Sequence, residues 1–521
     1  MLCHSLFVRM KYLVNSQEMK EFDKNTIEYF GVPSMVLMER AALSVFELIR
    51  QRYSQKISVL VICGSGNNGG DGFALARLLF LAGYPVNLYL PMKMDKMTEE
   101  TRCQYNSAKR YEIPITETLG KYDIIVDALF GIGLSRPLEG GLKELIQWCN
   151  SQEAVRLAVD MPSGISADTG AVLGEAFLAD ITVTFGFAKI GQVLYPGAQY
   201  CGELLTADIG IDERSMLEKR PGMSYMENED IRKYFPQRKK DSNKGSYGKA
   251  LVIAGSGQMA GAAYFSAKAA YLAGCGLVQI FTPKANRDVL LSMLPEAIVT
   301  AYDTSDPDTK LLWEKMDWAD VVLIGPGIGT ENTAKCLVKE VLSRKGKPVV
   351  MDADALNILA KDMELFRQSE NSVIVTPHLG EMSRLTGEMI SDIKKSLPAH
   401  ARDFAKQYGA ICVLKDARTV IGTAEGLYVN LSGCNGMASG GSGDVLAGLI
   451  TGLLAQHISP EMAAVLGAFL QGRAGEEAAT EKGNASMLAS DILEKLPCVI
   501  KRSLERSGKH WMSHTAECMQ R

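Results

Sequence analysis

From residue 57 the chain runs in short apolar bursts separated by polar or helical stretches. The bursts "ISVLVIC", "VNLYL", "DIIVDALF", "RLAVDM", "DITVTFGF" and "ELLTADIGI" alternate with helical segments, which predicts a parallel sheet covered on both faces. Around "DERSMLEKRPGMSYMENED" the rhythm lapses into charged, methionine-rich sequence with Pro and Gly, the composition of a linker. A second series follows with "GKALVIAGS", "GLVQIFTP", "DVVLIGPGIG", "KPVVMDADALN", "SVIVTPHLGEM" and "AICVLKDARTVI", and ends in a long helix after Asp444. The pattern therefore predicts two α/β domains, over residues 10–212 and 229–500, joined by a linker over 213–228 and sharing no obvious repeat. Ahead of the first strand, "MKYLVNSQEMKEFD" places Ser16 as a helix cap. Residues 1–9, before the second methionine Met10, are expected to be a leader outside the fold.

A chain of 521 residues can bury more than one sizeable core, in keeping with that division. Its 56 basic and 60 acidic residues leave a net charge of -4 without a basic block. Nucleic acid and anionic membranes are thus poor partners, and a small molecule is the better expectation. Eleven cysteines without a C-x-x-C pair point to a reducing, cytoplasmic setting rather than a disulfide frame or structural zinc. The longest apolar stretch, "VLAGLITGLLA", is far short of the ~20 residues that span a bilayer, and no signal-peptide pattern opens the chain. Homo-oligomerisation is left open.

The chemistry concentrates where strands end, as expected for ligands of open parallel sheets. In "ICGSGNNGGDGF", Gly64, Gly66 and Gly69 satisfy G-x-G-x-x-G between an apolar run and a helical run starting at Phe73. The acidic residue that should hold a ribose about twenty positions later is missing, and Asp71 lies inside the loop instead. Asn67, Asn68 and Asp71 follow one strand, Asp127 sits in "VDALFGIG", and Asp160 and Ser163 sit in "VDMPSG". Side-chain oxygens of this kind suit a hard cation, and free loop amides suit a phosphate. In the second half, "GGSGDVLAG" sets Gly440, Gly441 and Gly443 ahead of an apolar helix, with Asp444 at the rim of an anion-binding helix terminus. An aspartate there can take a proton from a substrate hydroxyl, or it can merely cap the helix. No G-x-x-x-x-G-K-[ST] occurs, so P-loop chemistry is excluded.

"GSGNNGGDGFALAR", "VDALFGIGL", "VDMPSGISADTG" and "ADITVTFGFAK", in that order, resemble the NAD(P)H-hydrate epimerase family, whose fold is Rossmann-like. The resemblance implies that Asn67, Asn68, Gly69, Gly70 and Asp71 contact the hydrate together with Gly131, Ile132, Gly133, Leu134, Ser135, Arg136, Pro137 and Asp160. It implies a potassium ion held by Asn68, Asp127 and Ser163, with Asp160 as the acid-base group.

From Asn243 to Gln456, "NKGSYGKALVIAGSGQMAGAAYFSAKAAYLAGCGLV", "IGPGIG", "MDADALN", "TPHLGEMSRL" and "NGMASGGSGDVLAG" are similar to ADP-dependent NAD(P)H-hydrate dehydratases of ribokinase-like fold. That likeness implies hydrate contacts at Ala262, Gly327, His378 and Asp444. It places the adenine nucleotide at Lys415, Asp416, Ala417, Arg418, Thr419 and Gly443, although Asp416 stands where glycine is usual. Asp444 would assist the ring hydroxyl as it attacks the terminal phosphoryl of ADP with Mg2+. Loss of phosphate would then restore NADH or NADPH, leaving AMP. The competing reading is a small-molecule kinase of the same fold joined to a non-catalytic Rossmann-like module.

Overall fold

The computed structural model describes residues 10–505, so the leader expected over 1–9 lies outside the described residues. Two compact units emerge: one spans Tyr12–Met223, and the other takes the chain from Ser224 together with Met10 and Lys11.

In the first unit, helix α1 (Ser16–Glu28) is capped by Asn15, one residue before the expected Ser16. The Asn15 side chain accepts from Glu18 N while Glu18 returns a bond to Asn15 N, a reciprocal box that Ser16 could not close from inside the helix. Helix α2 (Ser34–Arg52) follows. The sheet comprises β1 (Val59–Cys63), β2 (Val86–Tyr89), β3 (Ile115–Thr116), β4 (Ile124–Ala128), β5 (Val155–Val159), β6 (Ile181–Phe185) and β7 (Glu203–Ala207). Their order is β3-β2-β1-β4-β5-β6-β7, with every pairing parallel. All five residues of β1, β4 and β6 are buried, the mark of strands covered on both faces. The order reverses between β1 and β4, so the loops leaving these two strands diverge and open the crevice in which such sheets bind ligands.

The helix after β1 begins earlier than the pattern predicts. Helix α3 (Asn67–Leu81) already contains the Asn-Asn-Gly-Gly-Asp run. A Cβ at Gly69 would lie 1.9 Å from the Gly64 carbonyl oxygen, and one at Gly64 would lie 2.1 Å from that of Leu129. Backbone thus packs on backbone, and this tertiary contact winds a helical turn from residues of low helix propensity.

The second unit contains β8 (Lys249–Ile253), β9 (Leu277–Pro283), β10 (Ile298–Tyr302), β11 (Val321–Ile324), β12 (Val349–Met351), β13 (Val373–Val375), β14 (Ile411–Leu414), β15 (Val420–Gly422) and β16 (Leu427–Val429). They run in the order β10-β9-β8-β11-β12-β13-β14-β15-β16. Pairings are parallel as far as β14, and β15 and β16 add as antiparallel strands. Helix α4 (Ala260–Leu272) packs against α5 (Ser442–Ala455), which is followed by α6 (Pro460–Lys482) and α7 (Ala489–Glu505). Gly448 and Gly452 let α5 approach α4 closely, since a Cβ at either would fall 2.2 or 2.3 Å from the carbonyl oxygens of Ser266 and Ala270. Helix α5 starts at Ser442, so Asp444 lies in its first turn.

Candidate active sites

In the first unit a cavity of about 590 Å³ opens at the switch between β1 and β4. Its wall includes Asn67, Asn68 and Asp71 from α3, Gly131 to Leu134 from the loop after β4, and Asp160 from the end of β5. Gly69 and Gly70 serve packing: a Cβ on Gly70 would meet Met38 and Thr101. Ser135, Arg136 and Pro137 are not part of that wall.

Asp160 has a φ of 62°, a left-handed conformation that aspartate adopts more readily than most residues but that still costs about 1–2 kcal/mol. Its backbone is clamped: its N–H donates to Val183 O at 2.8 Å and its carbonyl accepts from Gln192 Nε2 at 2.6 Å. Its Oδ1 accepts from Lys189 Nζ at 2.6 Å and from Thr184 Oγ1 at 3.1 Å. Its Oδ2 lies on the cavity side, 3.2 Å from where a Gly131 Cβ would stand, with the Asn68 carboxamide 3.5 Å from the same point.

Asn68 is buried, yet neither Oδ1 nor Nδ2 has a hydrogen-bond partner within the protein. Such an orphaned amide is costly unless a ligand or ion completes it. Asp127 is fully buried: Oδ2 accepts from Ser163 N at 2.7 Å, and Oδ1 from Ser163 Oγ at 2.7 Å and Leu129 N at 3.1 Å. Burial pushes its carboxyl up to about 6 against the opposing pull of those bonds. Asp71 is raised well above the carboxylate range by burial, with Asp160 and Asp23 adding repulsion, and Asp23 is raised by burial, Glu100 and Asp160. Asp23, Glu100 and the buried Lys189 escaped the sequence reading. Lys189 closes the quoted "ADITVTFGFAK", but a lysine after an apolar burst reads as a solvated turn.

In the second unit the strand ends gather a different cluster. Asp352, just beyond β12 and 1% exposed, accepts through Oδ1 from Lys415 Nζ at 2.8 Å and Thr376 Oγ1 at 2.6 Å. A Cβ at Gly443 would lie 3.2 Å from Lys415 Nζ and 3.6 Å from Asp352 Oδ2, which sets the first turn of α5 beside this pair. Asp444 is pushed up to about 7, first by burial and then by Asp352, with Asp354 and Glu381 adding to the rise against Lys415's opposing attraction. Burial disfavours the Lys415 ammonium, but Asp352 and Glu381 outweigh it and raise its pKa. Lys415 therefore belongs to the acidic cluster, while Asp416 to Thr419 form the turn between β14 and β15, anchored by Asn430 N donating to Thr419 O at 2.9 Å.

Ala262 and Gly327 come together, since a Cβ on Gly327, at a φ of 64°, would touch the Ala262 Cβ at 2.9 Å. His378 caps the helix Leu379–Thr386. Its Nδ1 accepts from Gly380 N at 2.9 Å and Glu381 N at 3.3 Å, so the ring proton is on Nε2, 3.3 Å from Glu381 Oε1. Burial, Lys415 and Arg384 lower its pKa, and the ring is half-exposed. Asp352, Thr376 and Glu381 were not singled out from sequence, although "MDADALN" and "TPHLGE" contain them.

A Rossmann-like unit with a carboxylate-lined cavity, followed by a unit with an acid cluster at a glycine-rich helix terminus, defines a chain with two enzymic sites for nucleotide-like small molecules. Comparison with known proteins gives the family. Residues 250–498 match the NAD(P)H-hydrate dehydratase family and residues 34–191 the YjeF-related protein N-terminus. The bifunctional NAD(P)H-hydrate repair enzyme Nnr of Moorella thermoacetica is 36% identical over 520 residues, covering 95% of this chain and 97% of that protein. The enzyme of the same name from Thermofilum pendens is 36% identical over 502 residues, covering 93% and 95%. A ribokinase-like superfamily protein of Enterococcus faecalis V583 superposes with a TM-score of 0.50 at 31% identity, covering 55% of this chain and 98% of its own. The chain belongs to the bifunctional NAD(P)H-hydrate repair enzymes.

Proposed function

We propose that the first unit interconverts the R and S hydrates of NADH and NADPH, and that the second dehydrates the S form with ADP, releasing AMP and phosphate. The observation that supports this reading best is that each unit gathers its strand-end acids into one site, with Asp160 in the first and Asp444 in the second.

In the first unit Asp160 Oδ2 exchanges a proton with the hydrated ring carbon's hydroxyl or its ring, while Asn68 and the loop Gly131–Leu134 orient the hydrate. Asn68, Asp127 and Ser163 would hold potassium. The orphaned Asn68 amide and the buried Asp127 fit a cation, which would supply positive charge beside a cavity rich in carboxylates. In the second unit Asp444 accepts the proton of the ring hydroxyl, and the first-turn amides of α5 with Lys415 stabilise the charge on the transferring phosphoryl. Among the described residues no group of three or more His, Cys, Asp or Glu is disposed to hold a metal. Mg2+ would come with the nucleotide's phosphates, where it would neutralise their charge. Gly443 and the turn Lys415–Thr419 hold the nucleotide, and Ala262, Gly327 and His378 flank the hydrate. The described cysteines are free thiols and no described helix is long and apolar enough to cross a membrane, which supports a cytoplasmic enzyme of small-molecule substrates.

The test supplies mixed hydrate epimers with ADP or ATP and Mg2+ and follows reduced nicotinamide absorbance. Recovery of both epimers is expected. A stable phosphorylated product would instead establish the kinase reading, and recovery of the S form alone would remove the epimerase assignment.

A further inference from the structure

The Asp160 carboxylate is held from behind by a buried ammonium that no step above employs. Lys189 is 1% exposed. Its Nζ donates to Asp160 Oδ1 at 2.6 Å, Thr184 Oγ1 at 2.7 Å and Phe185 O at 3.1 Å. A lysine has three ammonium protons, and here all three are spent inside the protein, leaving none for a substrate. Thr184 relays the contact by donating its own proton to the same Asp160 Oδ1. Gln192 completes the frame, accepting from Lys189 N at 2.8 Å and donating to Asp160 O at 2.6 Å. One carboxylate oxygen is thus fully engaged, while the other is left for the cavity.

Burying an ammonium is expensive unless a carboxylate compensates it, and among the described residues Asp160 is the acidic partner of Lys189. The same cavity carries Asp23, Asp71 and Glu100, with Lys20 at its wall. Without Lys189, Asp160 would face three other acids with no buried counter-charge. Its left-handed backbone would lose one of the contacts that over-determine it.

We propose that Lys189 is a positioning residue for epimerisation, supplying the counter-charge that fixes Asp160 with Oδ2 aimed at the hydrated ring. The proposal rests on the reading of Asp160 as the acid-base group. It predicts that Lys189 affects turnover through Asp160 and has no independent hold on the substrate.

The experiment is a double-mutant cycle on the full chain, measuring R-to-S exchange without ADP by chromatographic separation of the epimers. A denaturant melt of the full chain reports whether the first unit of each variant is folded, and ADP-dependent dehydration of the S form reports on the second. Lys189→Met is expected to lower kcat for exchange about a hundredfold, the lower end of what general acid-base groups contribute, with KM changed less than about threefold. Lys189→Arg, which keeps the charge, recovers part of the loss. The Lys189→Met/Asp160→Asn double variant exchanges no more slowly than Asp160→Asn alone, because the lysine has nothing left to position. Losses that multiply in the double variant, or a raised KM at unchanged kcat, overturn the proposal while leaving the Asp160 reading intact. Wild-type exchange by Asp160→Asn alone overturns that reading instead. Should Lys189→Met fail to fold, Thr184→Val replaces it in the cycle, since it removes the second donor to the same oxygen at nearly constant shape. The same non-additivity is expected, and multiplying losses overturn the proposal.

Discussion

Asp160 and Asp444 are both strand-end or helix-start aspartates, but their surroundings prepare them in opposite ways. Asp160 is gripped by a buried lysine, a threonine and a glutamine that fix even its backbone. Asp444 has no such grip: burial and its acidic neighbours push it up to about 7, while Lys415 is spent largely on Asp352. The first arrangement secures geometry in a carboxylate-rich cavity. The second raises proton affinity towards the working pH, which would suit the general base proposed for Asp444. On the proposed reading, one chain contains two solutions to placing a carboxylate against a substrate hydroxyl.

The contrast breaks most sharply under reciprocal substitution. Asp444→Asn should lower dehydration by ~10²–10⁴-fold with ADP binding and the thermal melt close to wild type, because asparagine keeps the volume and the capping ability but cannot accept the proton. Single-turnover recovery of NADH absorbance from the S hydrate checks this, and near-wild-type turnover would leave Asp444 a helix cap. Asp160→Asn should lower epimer exchange by ~10²–10⁴-fold and leave dehydration of the S form within about twofold. Next in size is Gly69→Ala. Its Cβ would sit 1.9 Å from a backbone oxygen, so the first unit should lose about 3 kcal/mol in a denaturant titration followed by epimer exchange.

Proton dependence separates the two sites further. The base form of Asp444 is the active one, so dehydration should fall about tenfold per pH unit below its pKa of about 7. Stability runs the other way. The folded pKa lies above the ordinary aspartate value of 3.8, so the native state binds the proton more tightly and this group's contribution is lost as pH rises from about 4 to about 7. A pH series of kcat beside a pH series of melts tests both signs. The smallest expected effect is Ser163→Ala, which strips one donor from buried Asp127 and should cost the first unit about 1–3 kcal/mol.

Much of this was legible in the sequence because buried parallel strands are continuous apolar bursts and their ends contain the polar residues. The strand-end places of Asn68, Asp71, Asp127, Asp160 and Ser163, and the helix-start place of Asp444, were readable from the pattern, whereas the roles proposed for them came from the family resemblance. The start of α3 was not, since glycines and asparagines read as loop and only the Gly64–Gly69 backbone contact makes them a helical turn. Lys189 and Asp352 were missed for a related reason. Their importance lies in burial and in partners more than twenty residues away in sequence, and local pattern conveys neither.

The glycine contacts between α4 and α5 give the second site a mechanical property. Gly448 lies one helical turn beyond Asp444, seated on the backbone of the helix that also contains Ala262. The Ser266 backbone and the Ala269 methyl fill that seat, so a methyl group added there would act on α5 as a wedge near a fulcrum. The Asp444 carboxylate would be swung rather than merely loosened. The alignment of the reacting groups is thus toleranced by main-chain contact, and a substitution that never touches substrate could mistune the site without unfolding it.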